Sequence, residues 1–236
     1  MEEIRLIRSG DRSLHVRVGE GDHDHVAARV ARVESALRSA KIPGVIDLTP
    51  GSTTVQVSVD PDTDPDGIEA AVRTAALRAA IGSDSGSSRA TVVIPVCYGG
   101  DLGPDLGWLA AKAELGEAAA ASLHFSADHT VRFLGFSPGF AYMAGLPDRL
   151  HASRLEQPRS RVRPGSVAIA GGRTGIYPHA TPGGWRLIGA TPLRVFDPTR
   201  TPASMLRAGD RVRFEPISRA EFDRLERSCR GNGDAS

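Results

Sequence analysis

Two rhythms of apolar residues divide this sequence and predict an α+β chain, with an N-terminal α/β unit over residues 1–82 and a β-barrel over residues 90–217. Three observations carry that prediction. In the first third, period-two stretches alternate with stretches of helical spacing. A polar run, GSDSGSSR, then interrupts the pattern over residues 82–89 with no apolar residue. Beyond His129 the helical period is absent until the tail, and ten glycines fall between Gly135 and Gly189.

Taken in order, Ile4 and Leu6, then Leu14, Val16 and Val18, alternate with polar residues around the turn-forming Ser9-Gly10-Asp11, so two strands are predicted. Val26, Val30, Val33 and Leu37 recur on one helical face, and that helix stops before Pro43-Gly44. Val45–Leu48 and Thr53–Val59 form a second strand pair around Pro50-Gly51-Ser52. A second helix follows with Ile68, Val72, Ala75 and Leu77. The order predicts a small sheet covered by helices on one side. Residues 83–89 read as a flexible linker. Thr91–Cys97 is the next strand, and Leu106–Leu115 and Glu117–Leu123 are two short helices separated by Gly116. Short β-prone runs at Val131–Leu134, Val167–Ala170, Trp185–Ile188, Leu193–Phe196 and Arg211–Phe214 alternate with Gly/Pro-rich turns, the pattern of a closed or partly closed antiparallel barrel. Residues 218–236 form a C-terminal helix, Ala220–Ser228, and a tail.

Composition narrows the class of function. The chain has 29 Lys+Arg against 28 Asp+Glu, a formal net charge of +1, and 40% hydrophobic residues, which excludes a disordered polyelectrolyte and argues against general nucleic-acid binding. No apolar run approaches the ~20 residues of a membrane span, and the opening MEEIRLIRSGD lacks the pattern of a secretory signal, so a soluble cytoplasmic protein is expected. Cys97 and Cys229 read as ordinary thiols.

Four motifs suggest chemistry and then fail on their details. Gly135-Phe136-Ser137-Pro138-Gly139 fits G-x-S-x-G, but the residue after the serine is Pro138, which has no N–H for an oxyanion, so a tight turn is expected. Asp62-Thr63-Asp64-Pro65-Asp66-Gly67 begins like a calcium loop, yet its twelfth position is Arg73. Asp64 is better read as a helix N-cap followed by Pro65. His23-Asp24-His25 lacks further ligands at metal spacing and is assigned to the start of the first helix, so no metal site is expected. Gly171-Gly172-Arg173-Thr174-Gly175 matches neither phosphate-loop pattern and is compatible with an anion cradle or a barrel turn.

The informative stretch runs from Gln157 to Phe196. It contains no Asp or Glu but six arginines, Arg159, Arg161, Arg163, Arg173, Arg186 and Arg194, and His179. These guanidiniums either find carboxylates elsewhere in the fold or face an anionic ligand. Tyr177 and Trp185 lie among them, flanked by Pro178 and Thr181-Pro182-Gly183-Gly184, a composition that suits the lining of a small-ligand pocket.

Tyr98-Gly99-Gly100, Gly103-Pro104-Asp105-Leu106, the run Phe133–Tyr142, Pro158-Arg159, the run Gly165–Gly172, Thr174–Pro178 and Thr181–Trp185 together resemble the family of 5-oxoprolinase B subunits. It is also called the Kip I or allophanate hydrolase subunit 1 family, and it is similar to a subdomain of the carboxyltransferase region of urea carboxylase. The resemblance implies a ferredoxin-like N-terminal domain and a cyclophilin-like barrel. It implies a subunit that works with A-type and C-type partners, the latter a second cyclophilin-like protein, to open 5-oxo-L-proline to L-glutamate with ATP hydrolysis. The alternatives it carries are a Kip I-type inhibitor of a sensor histidine kinase and a subunit of an allophanate hydrolase or urea carboxylase-like enzyme.

On this reading Arg159, Arg173 and Arg186, with Gly171, Gly172 and Thr174, are candidates to hold phosphate or a small anionic substrate, and Tyr177 and Trp185 to line the site. Arg186 and His124 are the candidate catalytic residues. His124 is open to two roles, a general acid/base or a structural hydrogen bond between helix and barrel. Arg173 stands where the family carries Gln, and a guanidinium only donates whereas an amide also accepts. An exposed edge of the N-terminal sheet makes a homo-oligomer a further expectation.

Overall fold

The structure is a computed structural model that describes residues 4–21, 23–81 and 91–231. The chain separates into two units, Met1–Ser88 and Arg89–Ser236. The linker expected over residues 83–89 and the last five residues of the tail lie outside the described residues.

In the first unit β1 (Arg5–Arg8), β2 (Ser13–Arg17), β3 (Val45–Pro50) and β4 (Thr54–Val59) form an antiparallel sheet in the order β1-β2-β4-β3. Helices α1 (Asp24–Ala40) and α2 (Pro65–Ile81) complete it. The apolar residues of the two periodicities meet in one core: Leu14, Val16, Val55 and Val57 from the sheet against Val26, Val30, Val33, Leu37, Ile68 and Val72 from the helices. This is the ferredoxin-like arrangement. Asp64 caps α2 through Asp66 N–H at 3.2 Å and Gly67 N–H at 3.0 Å. His23 occupies the N-cap position of α1 without a side-chain cap bond, and its ring stacks on His25 at 5.5 Å.

The second unit is a closed seven-stranded barrel. Its strands are β5 (Thr91–Tyr98), β6 (His129–Leu134), β7 (Ala141–Ala144), β9 (Ser166–Ala170), β10 (Arg173–Ile176), β12 (Arg186–Ala190) and β13 (Arg211–Pro216), in the cyclic order β10-β7-β6-β13-β5-β12-β9. β8 (Arg159–Val162) and β11 (Thr181–Gly183) form a separate two-stranded sheet. Closure leaves the barrel no free edge. The ladders are antiparallel except for β13 with β5, a parallel pair running from Arg211↔Thr91 to Pro216↔Val96, so the barrel is not wholly antiparallel as expected. Leu193–Phe196, expected as a strand, is irregular and contributes only the Phe196↔Ser204 bridge. The reason is Asp197, which draws Thr199, Arg194 and Arg200 around itself and turns the chain away from the wall.

Inward-facing Ile94, Val96, Val131, Met143, Val167, Ile169, Ile176, Ile188, Val212 and Phe214 fill the barrel together with Leu106 and Leu109 of α3 (Leu106–Lys112) and Ala120 and Ala121 of α4 (Glu117–Phe125). The opposite face of β9 is covered too. Ala168 and Ala170 pack with Phe140, Tyr177, Trp185, Leu187 and Val162 of β8, so all five residues of β9 are buried. Helix α5 (Arg219–Gly231) sets Phe222 against Cys97, Leu102 and Ala190. No described helix is long and apolar enough to cross a membrane.

Two glycines show how tightly backbone approaches backbone. A Cβ on Gly145, at φ +96°, would strike the Asp128 carbonyl oxygen, whereas one on Gly171, at φ +58°, would meet nothing within 4 Å. Gly145→Ala combines strain with an overlap that no rotamer relieves and is expected to destabilise the barrel by roughly 3 kcal/mol or more. Gly171→Ala incurs only the left-handed conformation, about 1–2 kcal/mol. Denaturant unfolding of both variants tests that order.

Candidate functional site

Helix α4 delivers His124 into the barrel, where it is 0% exposed. Its Nε2 lies 2.9 Å from Thr174 Oγ1 and its Nδ1 lies 2.8 Å from the Tyr98 hydroxyl. The Thr174 hydroxyl donates its single proton to the Ala168 carbonyl at 3.1 Å, so it accepts from His124 Nε2–H, and Nδ1 accepts from Tyr98. His129 Nε2–H then donates to the His124 carbonyl at 2.9 Å. Burial holds the His124 imidazole well below its usual pKa, helped by the neighbouring His129, which burial also lowers. Burial raises the Tyr98 phenol. Both His124 nitrogens are occupied and no face of the ring reaches solvent. His124 thus bonds α4 to the β10 strand through Thr174 and to β5 through Tyr98.

The glycine hairpin is likewise occupied. Gly171 and Gly172 make the turn between β9 and β10, and the Gly171 N–H is spent on the Ala152 carbonyl at 2.7 Å. Gly172 sits under His151, whose ring a Cβ would meet at 2.9 Å. Thr174 is fully buried, and Tyr177 and Trp185, at 1% and 6% exposed, are core aromatics packed edge-to-face on Phe140 at 5.2 and 5.3 Å. Gly171 thus spends its N–H within the hairpin, while Thr174, Tyr177 and Trp185 are enclosed in the barrel wall and the aromatic layer over it. Ser137 lies in the tight β6–β7 turn, with its N–H on the Gly135 carbonyl at 2.8 Å.

The arginines divide. Arg163 pairs with Glu226 of α5 and lies 5.0 Å above the Phe222 ring. Arg194 faces Asp197 at 3.4 Å, and Arg161 is exposed. Arg173 lies over Phe133 and Tyr142 at 5.0 and 5.9 Å. Arg159 pairs with Asp105, and Arg186 immediately precedes Leu187, whose backbone binds the same carboxylate. Asp105, at the start of α3 and 7% exposed, accepts the Leu187 N–H at 2.7 Å on one oxygen and Arg159 Nη2 at 3.0 Å on the other. Its own N–H returns to the Leu187 carbonyl at 2.9 Å. One residue before Leu187, Arg186 lies 3.6 Å above the ring of Trp108, which is 41% exposed, and its Nε points to the Ser153 carbonyl at 3.4 Å.

Arg159 thus pairs with Asp105, while Arg186 meets the Trp108 ring and the Ser153 carbonyl, with no carboxylate among its described contacts. The Arg159 Nη1 is buried and has no hydrogen-bond partner. A buried N–H of a charged group without an acceptor is costly, so this position fits an anionic oxygen. Asp105 and Trp108, three apart on α3, escape sequence reasoning because their significance lies in contacts across the chain, 82 residues for Asp105 with Leu187. The local signal for Asp105 is its place in Gly103-Pro104-Asp105-Leu106, one of the segments that carry the family resemblance.

The family of carboxyltransferase domains, subdomains C and D, matches residues 4–206. The B subunit of 5-oxoprolinase from Bacillus subtilis is 37% identical over 222 residues, 90% of this chain and 92% of that protein. The corresponding B subunit from Escherichia coli O157:H7 is 53% identical over 125 residues, 53% of this chain and 57% of that one. The solved structure of TTHA0988 is 36% identical with a TM-score of 0.74 over 88% of this chain, which spans only 40% of that longer chain.

The buried imidazoles set a pH dependence. Burial lowers His124 and, less strongly, His129 in the native barrel, whereas each regains an ordinary pKa near 6.5 on unfolding, so unfolding takes up protons below that pH. Their contribution is intact above about pH 6.5 and is lost as pH falls below it, by up to ~1.4 kcal/mol per pH unit for each histidine. Denaturant titrations across this range, with the His124 ring resonances showing no titration in the folded protein, check it.

Proposed function

This chain belongs to the family of carboxyltransferase domains, subdomains C and D, and on that premise we propose that it is the B-type subunit of an ATP-dependent 5-oxoprolinase. The reading draws on the curated relatives, which are named as B subunits of 5-oxoprolinase, one of them over nearly the full length of both chains. Its partners are an A-type and a C-type subunit, and its reaction is the opening of 5-oxo-L-proline to L-glutamate coupled to ATP hydrolysis. The curated relatives do not favour the kinase-inhibitor or allophanate-type alternatives.

The observation that carries the site assignment is the unpartnered, buried Arg159 Nη1 beside the Asp105 carboxylate. A lactam amide is a poor electrophile; transfer of a phosphoryl group from the nucleotide to its carbonyl oxygen would activate the carbon, so that water adds and the ring C–N bond breaks with the nitrogen taking up a proton. A second water then hydrolyses the resulting acyl phosphate to glutamate and phosphate. This chain's part is electrostatic. Arg159 donates through Nη1 to an anionic oxygen, while Nη2 stays on Asp105 and holds the fork in place. Arg186, stacked on Trp108, keeps its planar guanidinium oriented at a partly exposed position. Asp105 positions both, Arg159 directly and Arg186 through the adjoining Leu187 backbone. The acid/base group for the attacking water is assigned to a partner subunit or to their interface, because His124 has no free nitrogen.

Co-purification of this chain with its A- and C-type partners, followed by glutamate release from 5-oxoproline and ATP, tests the reading. Arg159→Ala and Arg186→Ala are each expected to lower kcat/KM by about 10- to 100-fold, the loss of one or two charge-assisted hydrogen bonds, with assembly intact by size-exclusion chromatography. An inactive complete set overturns the activity. An active set insensitive to both substitutions overturns the site.

A further inference from the structure

The last arginine of the acid-free stretch, Arg194, lines a groove of 540 Å³ to which none of the Arg159–Arg186 face contributes. Arg194, Arg200 and Arg207 share its wall with one acid, Asp210, and with the apolar side chains of Val92 and Met205. Asp197, 5% exposed, organises two of the three cations. Its Oδ1 accepts the Thr199 N–H at 3.0 Å and the Thr199 hydroxyl at 2.7 Å, while its Oδ2 faces Arg194 Nη1 at 3.4 Å and Arg200 Nε at 3.3 Å.

Donor counting shows what this leaves over. Asp197 accepts three hydrogen bonds, from the Thr199 N–H, the Thr199 hydroxyl and Arg194 Nη1, and forms an ion pair with Arg200. Its single charge neutralises only one of its two guanidiniums. Arg200 meets Asp197 in an ion pair through Nε, with no described contact at its terminal nitrogens; Arg194 donates through one terminal nitrogen of its fork. Arg207 brings a third guanidinium, exposed, from a corner where its backbone N–H is fixed on Asp210 Oδ2 at 2.8 Å. The loop carrying these residues is pinned at both sides, by Asp197 N–H on the Ala203 carbonyl at 2.8 Å and Met205 N–H on the Val195 carbonyl at 2.9 Å. The backbone that carries the three arginines is therefore fixed before any ligand arrives, and Asp197 holds two of the side chains toward the groove.

We propose that this groove binds a small organic phosphate, with the phosphate oxygens on Arg194, Arg200 and Arg207 and an apolar part of the ligand against Val92 and Met205. Phosphate suits the site better than carboxylate because it offers three acceptor oxygens to three guanidiniums. The site stands independently of the Arg159–Arg186 face.

Calorimetric titration of the full chain with phenyl phosphate, and with benzoate as the carboxylate bearing the same ring, tests it. Phenyl phosphate is expected to bind, benzoate to bind at least about tenfold more weakly, and Arg207→Ser to weaken phenyl phosphate binding by about tenfold or more. Arg207→Ser removes none of the described ion pairs to Asp197, so its melting curve should match that of the parent. Arg161→Ser, an exposed arginine outside the groove, should leave binding unchanged. Absence of phenyl phosphate binding at millimolar concentration overturns the proposal, as does equal binding of benzoate. Loss of binding in Arg159→Ala but not in Arg207→Ser does the same, by placing the phosphate on the other face.

Discussion

A buried carboxylate must find partners or it unfolds what surrounds it, and Asp105 finds them on two other elements. One oxygen holds the backbone of β12 and the other holds Arg159 at the start of β8. Because Arg159 keeps 28% of its side chain exposed, water offsets part of the cost of losing it, and the Leu187 N–H still holds the other carboxylate oxygen. The arrangement is still constrained from three directions: α3 cannot shift along β12, β8 cannot peel from the barrel, and Arg159 cannot leave its carboxylate to follow solvent. A guanidinium at this face is both charged and immobile, a combination that a surface arginine lacks.

The inside of the barrel obeys a second constraint. A histidine placed among Ile169, Ile176 and Phe214 must be neutral and must satisfy both nitrogens. The series Tyr98, His124, Thr174 and the Ala168 carbonyl does so with each proton given once and in one direction. Because Thr174 lies on β10 directly beside Arg173, the relay also fixes the register of the strand that brings that arginine over Phe133 and Tyr142. Polar residues in this core thus specify alignment more than they supply chemistry.

Where structure depends on residues near one another in the chain, the sequence describes it well. The alternation of Leu14-His15-Val16 and the helical spacing of Val26, Val30 and Val33 each report a local period, and each leads to the right element. Asp64 before Pro65 marks the start of α2 for the same reason. Leu193–Phe196 shows the limit, since its strand-like alternation is overruled by Asp197, whose hydrogen bonds and ion pairs bend the chain. The six-arginine stretch poses a question that only the fold answers. Arg159 and Asp105 are 54 residues apart, and nothing in either neighbourhood marks them as partners. Tyr177 and Trp185 carry the composition of a pocket lining but are consumed by the second apolar layer over β9, whose existence depends on a two-stranded sheet too short to read from the sequence.

The parallel pairing of β13 with β5 gives the barrel a particular order of completion. β5 is the first strand made and β13 the last, and the cyclic order sets β13 between β5 and β6. During synthesis the wall therefore stays open along one seam, with the backbone groups of β5 and β6 facing that gap unpaired, until Arg211–Pro216 emerges. Contacts of such sequence separation form slowly, and open edges in the interval invite association with other chains. The final strand thus seals the barrel, so a chain interrupted upstream of Arg211 would carry most of the apolar core of this unit and a permanently exposed sheet edge, a substrate for quality control instead of a shortened but serviceable domain.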